Sequence, residues 1–487
     1  MNQVLLTQGS TMSLAAMRPA VTEIALATAV CVVLLFDVFA GRTWRYLTHG
    51  LTLIMLAVCA YLTVTVGAVP GHTVLFDGLY VADRLGIFLK LMAFLSAGLG
   101  LFYSQAYLDR RRMHGGEYDI LTMSMLLGVC VLISANSLLT VYLGVELLSL
   151  SLYALVAFDR DSGIAAEAAI KYFVLGAIAS AALLYGMSML YGLTGTLQLD
   201  RIAQVSAAHG AGFVIAVAFI IVAVAFKFGA VPFHMWVPDV YDGAPASVAL
   251  LIATTAKLGS FALVMRLLVF GLGAEPTLWV QMLTALAVLS LVLGNVVAIA
   301  QTNIRRMLAY SAIANVGFIL LGFITADSGG YRAALSYTLV YVLTTVGSFG
   351  VVLLAARSDG EADDLEDYKG LGARDPMLAL LMLALMLSTA GVPPFVGFWA
   401  KLWIIQALLH TGHLALAILA VLVSVIGAYY YLRVIWYMYF DPGRPQTLIA
   451  RQSGARVALA LNAAAVLLLG LLPNALLALC TRLIAAP

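Results

Sequence analysis

Apolar segments of about 20 residues follow one another along almost the whole of this sequence, with short polar loops between them. Such a segment is what a helix needs to cross a bilayer, because in hydrocarbon each backbone amide must find its partner within the same helix. The proportions agree: 63% of the 487 residues are apolar and 10% are charged, against roughly 45–50% and 25% in soluble chains. The chain reads as an all-α polytopic membrane protein.

Several functions are excluded at the same stage. A net charge of +2 offers no basic face for nucleic acid. The four cysteines (Cys31, Cys59, Cys130, Cys480) are scattered through apolar segments, so no C-x-x-C pair is present for zinc or an iron–sulfur cluster. No glycine-rich dinucleotide fingerprint and no P-loop lysine signature occurs, so neither a cofactor nor a metal is expected in this chain. The first 17 residues lack the basic start of a cleaved signal peptide.

Hydropathy divides the chain into about 14 helices: 21–40, 46–69, 85–107, 117–133, 138–158, 164–193, 212–237, 246–271, 277–300, 307–325, 331–356, 376–410, 414–440 and 458–479. Fourteen lysines and arginines fall in loops after odd-numbered helices, among them Arg42, Arg110, Arg111, Arg112, Arg306, Arg357, Arg444 and Arg451. Only Arg84, Arg201 and Arg332 follow even-numbered ones. The positive-inside rule therefore puts the odd loops in the cytoplasm and both termini on the periplasmic side. The acidic run 361–367 reads as a solvated loop joining two halves, with contact to a partner as the alternative.

Arginine and lysine are distributed in opposite ways. Most of the 20 arginines lie in loops, whereas five of the six lysines (Lys90, Lys171, Lys227, Lys257, Lys401) lie inside apolar segments. A charge at the bilayer centre costs about 2.5–3.5 kcal/mol even on the lenient insertion scale. Lysine, unlike arginine, can escape that cost by releasing its proton. Lys90 and Lys171 are near enough to helix ends to snorkel. Lys227, Lys257 and Lys401 are not, and for them a static ion pair competes with a titrating role. Glu146 is the one acid deep in a span, while Glu23 and Asp37 lie near the ends of helix 1. One glutamate cannot neutralise three central lysines, and a file of such groups suits proton relay.

Two helices carry matched interruptions. Helix 7 contains Lys227, Gly229, Pro232 and Phe233; helix 12 contains Gly391, Pro393, Pro394 and Phe395, then Lys401. Proline breaks the hydrogen-bond ladder, and irregular backbone at membrane depth needs protein or a watery cavity around it. Helices 7 and 12 differ by five, so they cross in opposite directions. Two five-helix inverted repeats are expected, 117–271 and 272–440, flanked by 1–116 (helices 1–3) and 441–487 (helix 14), with ion sites at the breaks. His234 would share a face with Lys227 if the helix resumed after Pro232. Tyr337, Tyr341, Thr344 and Ser348 form a polar stripe on helix 11, suited to ordering water or to interhelical hydrogen bonds.

These residues resemble a known family, the antiporter-like proton-pumping subunits of respiratory complex I, related to Mrp-type cation/proton antiporter subunits. The resemblance rests on Phe226 to Pro245 (FKFGAVPFHMWVPDVYDGAP), on Glu146 and Lys257, and on Gly391 to Lys401 (GVPPFVGFWAK). A chain that ends soon after helix 14 and carries lysine at position 401 is most similar to the subunit N branch of bacterial NADH–quinone oxidoreductases. The resemblance implies that Glu146 and Lys227 interact, that Lys171 modulates them, that Lys257 is the central relay and that Lys401 is the terminal site. It also implies sister antiporter-like and small membrane subunits as partners. A peripheral redox arm would hold NADH, FMN, iron–sulfur clusters and quinone, and the location would be the bacterial inner membrane. An Mrp-type antiporter subunit and a membrane subunit of a hydrogenase-linked complex remain as alternatives, beside a purely structural scaffold.

Overall fold

The computed structural model describes residues 17–40, 45–68, 71–113, 115–205, 210–356, 362–443 and 453–484. Arg42, Arg357, Arg444 and Arg451 of the basic loops, Glu361 of the acidic run and the first sixteen residues lie outside them. Among the described residues, thirteen helices are long and apolar enough to cross a membrane.

Helices α1 (Val21–Ala40) and α2 (Arg45–Thr65) lead into a small antiparallel hairpin, β1 (Thr73–Leu75) and β2 (Tyr80–Ala82), which hydropathy could not reveal. Phe76, Asp77 and Gly78, all at positive φ, make its turn. Next come α3 (Arg84–Arg110), α4 (Gly116–Ile133), α5 (Leu138–Val156), α6 (Gly163–Thr194) and the short α7 (Leu199–Val205).

The helices expected at 212–237, 246–271 and 376–410 are each interrupted. The first is α8 (Ala211–Phe228), a turn, then α9 (Trp236–Gly243). The second is α10 (Ala246–Ala253), α11 (Thr255–Val264) and a π-helical turn, Met265–Gly271, with Thr254 non-helical between the first two. Helices α12 (Pro276–Ala300), α13 (Ile304–Ile324) and α14 (Ser328–Ala355) are continuous. After the short α15 (Leu371–Arg374), α16 (Pro376–Ala390) and α17 (Val396–His410) divide the expected twelfth span into two halves of 15 residues. Helix α18 (Leu414–Tyr439) follows. The expected span 458–479 is instead α19 (Ser453–Leu471) and α20 (Pro473–Ile484), because Pro473 removes a backbone donor where the first of them ends.

Glycine sets the closest helix contacts. A Cβ on Gly128 of α4 would stand 2.4 Å from the backbone nitrogen of Leu148 on α5, and one on Gly294 of α12 would stand 2.7 Å from that of Ala314 on α13. Small residues at helix crossings let backbones approach where lipid supplies no hydrophobic drive. The N-terminal helices are tied in by charge. Lys90 does not snorkel: its ammonium is buried, 2.6 Å from Glu23 and 3.0 Å from the Tyr80 hydroxyl. Arg266 of the π-helical turn reaches Asp83, the N-cap of α3, at 2.6 Å. Two arginines close helix ends, Arg110 on the carbonyls of Leu353 and Ala356, and Arg433 on those of Ile299 and Gln301.

Candidate functional site

Two of the three interrupted helices, those expected at 212–237 and 376–410, break in the same way. Helix α8 stops at Phe228 because Gly229 turns left-handed (φ +73°), and α16 stops at Ala390 because Gly391 does so (φ +88°). Glycine takes that conformation without the steric cost of a Cβ. Each left-handed glycine is followed shortly by a cis X-Pro bond, Val231–Pro232 and Pro393–Pro394. The freed backbone is satisfied locally: the Val231 amide donates to Ser290 Oγ of α12 at 2.9 Å, and the Gly397 amide to Ser388 Oγ at 3.2 Å.

Each terminal carbonyl receives a lysine. Lys257 Nζ, on α11 and 1% exposed, donates to the Phe228 oxygen at 2.6 Å. Lys401 Nζ, on α17, donates to the Ala390 oxygen at 2.9 Å. A helix C-terminus carries partial negative charge, so these carbonyls favour an ammonium. An aromatic face lies beside each: the Trp236 ring 5.7 Å from Lys257 Nζ and the Phe318 ring 5.4 Å from Lys401 Nζ. The remaining carbonyls of the last turn of α8 are also taken. Trp236 Nε1 donates to Phe226, and Ser260 Oγ to Lys227.

Lys227 sits in that last turn and points to α5. Its Nζ donates to Ser149 Oγ at 2.5 Å, and Ser149 donates in turn to the Val145 carbonyl. Glu146, expected as its partner, makes no ion pair with it among the described residues. Glu146 Oε1 is buried without a hydrogen bond, as are the hydroxyls of Tyr153 and Ser180. Buried polar atoms left unpaired are where water is held.

Lys401 opens onto a cavity of about 10 Å³, close to the space of one water. Tyr341, Thr344, Asn315 and Thr389 line it, and the Tyr341 hydroxyl has no partner there. From this cavity Tyr337 donates to Asn315 Oδ1 at 2.7 Å, and Asn315 Nδ2 donates to Ser311 Oγ at 3.2 Å. Ser311 is hydrogen-bonded to Tyr431 of α18. Of the expected helix-11 stripe, Thr344 and Ser348 bond back to their own helix, which leaves Tyr337 and Tyr341 to face other helices.

Two expected auxiliaries are placed differently. Helix 7 does not resume until Trp236, so His234 lies in the turn and not on the Lys227 face; its Nδ1 is buried and unpaired. Lys171 is half-exposed and bonded to Glu167 at 2.9 Å and Asp239 at 2.8 Å, not to Glu146. Asp239 also meets Arg306 of α13 at 3.2 Å. Ser149, Ser290, Asn315 and Asp239 are the site residues that sequence reasoning missed. Among the described residues, no group of three or more His, Cys, Asp or Glu could hold a metal ion.

The family model described as "NADH:quinone oxidoreductase/Mrp antiporter, TM" matches residues 135–427, which contain all three interrupted helices and all four ionisable residues singled out. The chain is 49% identical over 481 residues to NADH-quinone oxidoreductase subunit N of Herminiimonas arsenicoxydans, covering 96% of this chain and 97% of that one. It belongs to the subunit N family of NADH-quinone oxidoreductase. A chain of the respiratory complex I structure from Thermus thermophilus is 33% identical, with a TM-score of 0.81 over 94% of this chain and 98% of that one. A chain of the Mrp complex from Dietzia sp. DQ12-45-1b, 22% identical, shares the fold, with a TM-score of 0.80 over 96% and 97% of the two chains. As a subunit N family member the chain is a multi-pass helical subunit of the bacterial inner membrane, of the antiporter-like kind found in multi-subunit respiratory complexes.

Proposed function

We propose that this chain relays protons across the membrane through Glu146, Lys227, Lys257 and Lys401. NADH, FMN, iron–sulfur clusters and quinone in partner subunits would supply the driving reaction. One observation carries the reading: Lys257 and Lys401 each rest on the last carbonyl of a half-helix broken at membrane depth. Such a seat holds an ammonium by main-chain dipoles alone, so the proton can leave without stranding a buried carboxylate. The orphaned oxygens of Glu146, Tyr153 and Tyr341 mark where water would join the lysines. Lys227 would pass its proton toward Lys257, which then feeds Lys401 across the polar cavity.

The two units, 117–271 and 272–440, act as inverted repeats in this scheme. Supporting this, matched features are displaced by one common interval, 128 to 294 and 148 to 314 in the glycine contacts. The isolated bridges 137–198 and 303–364 follow the same interval. The terminal carbonyls 228 and 390 correspond at a slightly shorter interval, four residues less. One unit would be reached from the cytoplasm and the other from the periplasm, with both termini periplasmic. Moving a proton against about 200 mV takes about 4.6 kcal/mol, which must come from the partner subunits.

The test is proton yield per quinone reduced in proteoliposomes of the intact complex carrying Lys227→Ala or Lys401→Ala. The expected result is a lower yield with full assembly; an unchanged yield in both removes them from the path. The family model also spans Mrp antiporters. Proton movement driven by a sodium gradient with no redox substrate would favour that second reading.

A further inference from the structure

We propose that a pocket among the start of α14, the end of α17 and α20 binds the phosphate of a membrane phospholipid headgroup. The pocket has a volume of about 330 Å³ and is lined by Asp327, Arg332, Gln406 and His410 among others. It lies where three spans end: α13 finishes at Ile324, α14 begins at Ser328 and α17 finishes at His410. That is headgroup depth, on the face opposite the arginine-rich loops.

Arg332 makes the pocket an anion site. Among the described residues its guanidinium makes one long hydrogen bond, Nη1 to Thr481 Oγ1 at 3.4 Å, and no ion pair. Its Nε is buried with no acceptor. Other arginines that are at least partly buried find carboxylates or terminal carbonyls, among them Arg110, Arg266, Arg305, Arg433 and Arg456. A half-buried guanidinium without acceptors, in a pocket also holding the Gln406 amide and the His410 imidazole, presents the planar fork that phosphate oxygens match.

Asp327 decides the kind of phosphate. Its Oδ1 is occupied, accepting from the Gly330 amide at 2.8 Å and the Thr325 hydroxyl at 2.7 Å. Its Oδ2 has no hydrogen bond among the described residues. A carboxylate oxygen across the pocket from a guanidinium suits a headgroup carrying an amine beside its phosphate, as phosphoethanolamine does. A lipid is favoured over free phosphate because the pocket is also lined by Trp403 and Leu477, and Leu409, next in the chain to the lining His410, stands 50% exposed, apolar surface that acyl chains below a headgroup would cover.

The experiment purifies the intact membrane complex in phosphate-free detergent buffer and quantifies retained phospholipid by mass spectrometry of the extract. The wild type is expected to retain phosphatidylethanolamine that Arg332→Gln loses, one molecule per chain. Arg332→Lys should retain part of it, and Gln281→Leu, on the exposed outer face of α12, all of it. If Arg332→Gln does not assemble, the double variant Gln406→Leu/His410→Leu is read in the same way. Equal phospholipid in wild type and variant overturns the proposal. Binding of added inorganic phosphate with no lipid retained also overturns it. Because the readout is bound lipid and not proton yield, it stands or falls apart from the relay proposed above.

Discussion

The ammonium of Lys257 donates to the carbonyl oxygen of Phe228, 2.6 Å away across the gap between α11 and α8. Lys401 does the same to Ala390 at the end of α16. In both cases a left-handed glycine comes next in the chain, and it is this glycine that leaves the carbonyl unused by its own helix.

Gly391→Ala should therefore disturb Lys401 directly. A Cβ there would stand 2.9 Å from Lys401 Cδ, and the positive φ adds about 1–2 kcal/mol of backbone strain. The expected outcome is an assembled complex with a lowered proton yield, read by pH-indicator quenching in proteoliposomes. An unchanged yield would separate the glycine from the lysine's seat.

Ser149→Ala removes the acceptor of Lys227. Hydrogen bonds to charged groups are worth about 1.5–3 kcal/mol, so proton transfer through the first unit should slow about tenfold or more. Ser149→Thr, which keeps the hydroxyl, should restore it. A wild-type rate in the alanine variant would show that the hydroxyl does not position the ammonium.

Gly128→Val or Gly294→Val should prevent assembly, since the added atoms meet backbone and not flexible side chains. Chain abundance in membranes after mild extraction measures this. Normal abundance would mean that the helix pairs can separate without penalty.

Asp83→Asn breaks a buried ion pair with Arg266, at a cost of about 3–5 kcal/mol, measurable as a lowered thermal transition in detergent. Burial pushes the Asp83 carboxyl up, but the Arg266 guanidinium and the Gly86 amide hold it below its ordinary value. Its contribution is thus complete above the unfolded carboxylate's pKa of about 3.9 and is lost as pH falls through the lower folded value. A thermal transition whose acid dependence is identical in Asp83→Asn and wild type would rule this out.

The sequence carried much of this. Apolar length located the spans, and the Gly-x-x-Pro-Phe segments located the breaks after α8 and α16, because glycine and proline act on their own backbone and leave a local mark; the break at Thr254 carries none. Partners across helices leave no such mark. Ser149 and Ser290 are ordinary helix serines until folding puts one beside Lys227 and the other beside the Val231 amide. Asn315 reads as one polar residue in an apolar run until Tyr337 bonds to it. Lys90 and Lys171 look alike in sequence, yet Glu23 encloses the first while Asp239 and Glu167 draw the second outward. His234 would share the Lys227 face only in a helix resuming after Pro232, and the chain stays in a turn until Trp236.

A main-chain oxygen is common to every amino acid. Replacing Phe228 or Ala390 by any residue that still lets the helix end there leaves the docking atom for Lys257 or Lys401 unaltered. The receptor for each cation is therefore written in the path of the backbone and not in a codon for a particular acid. Only a change in where the helix stops can erase it.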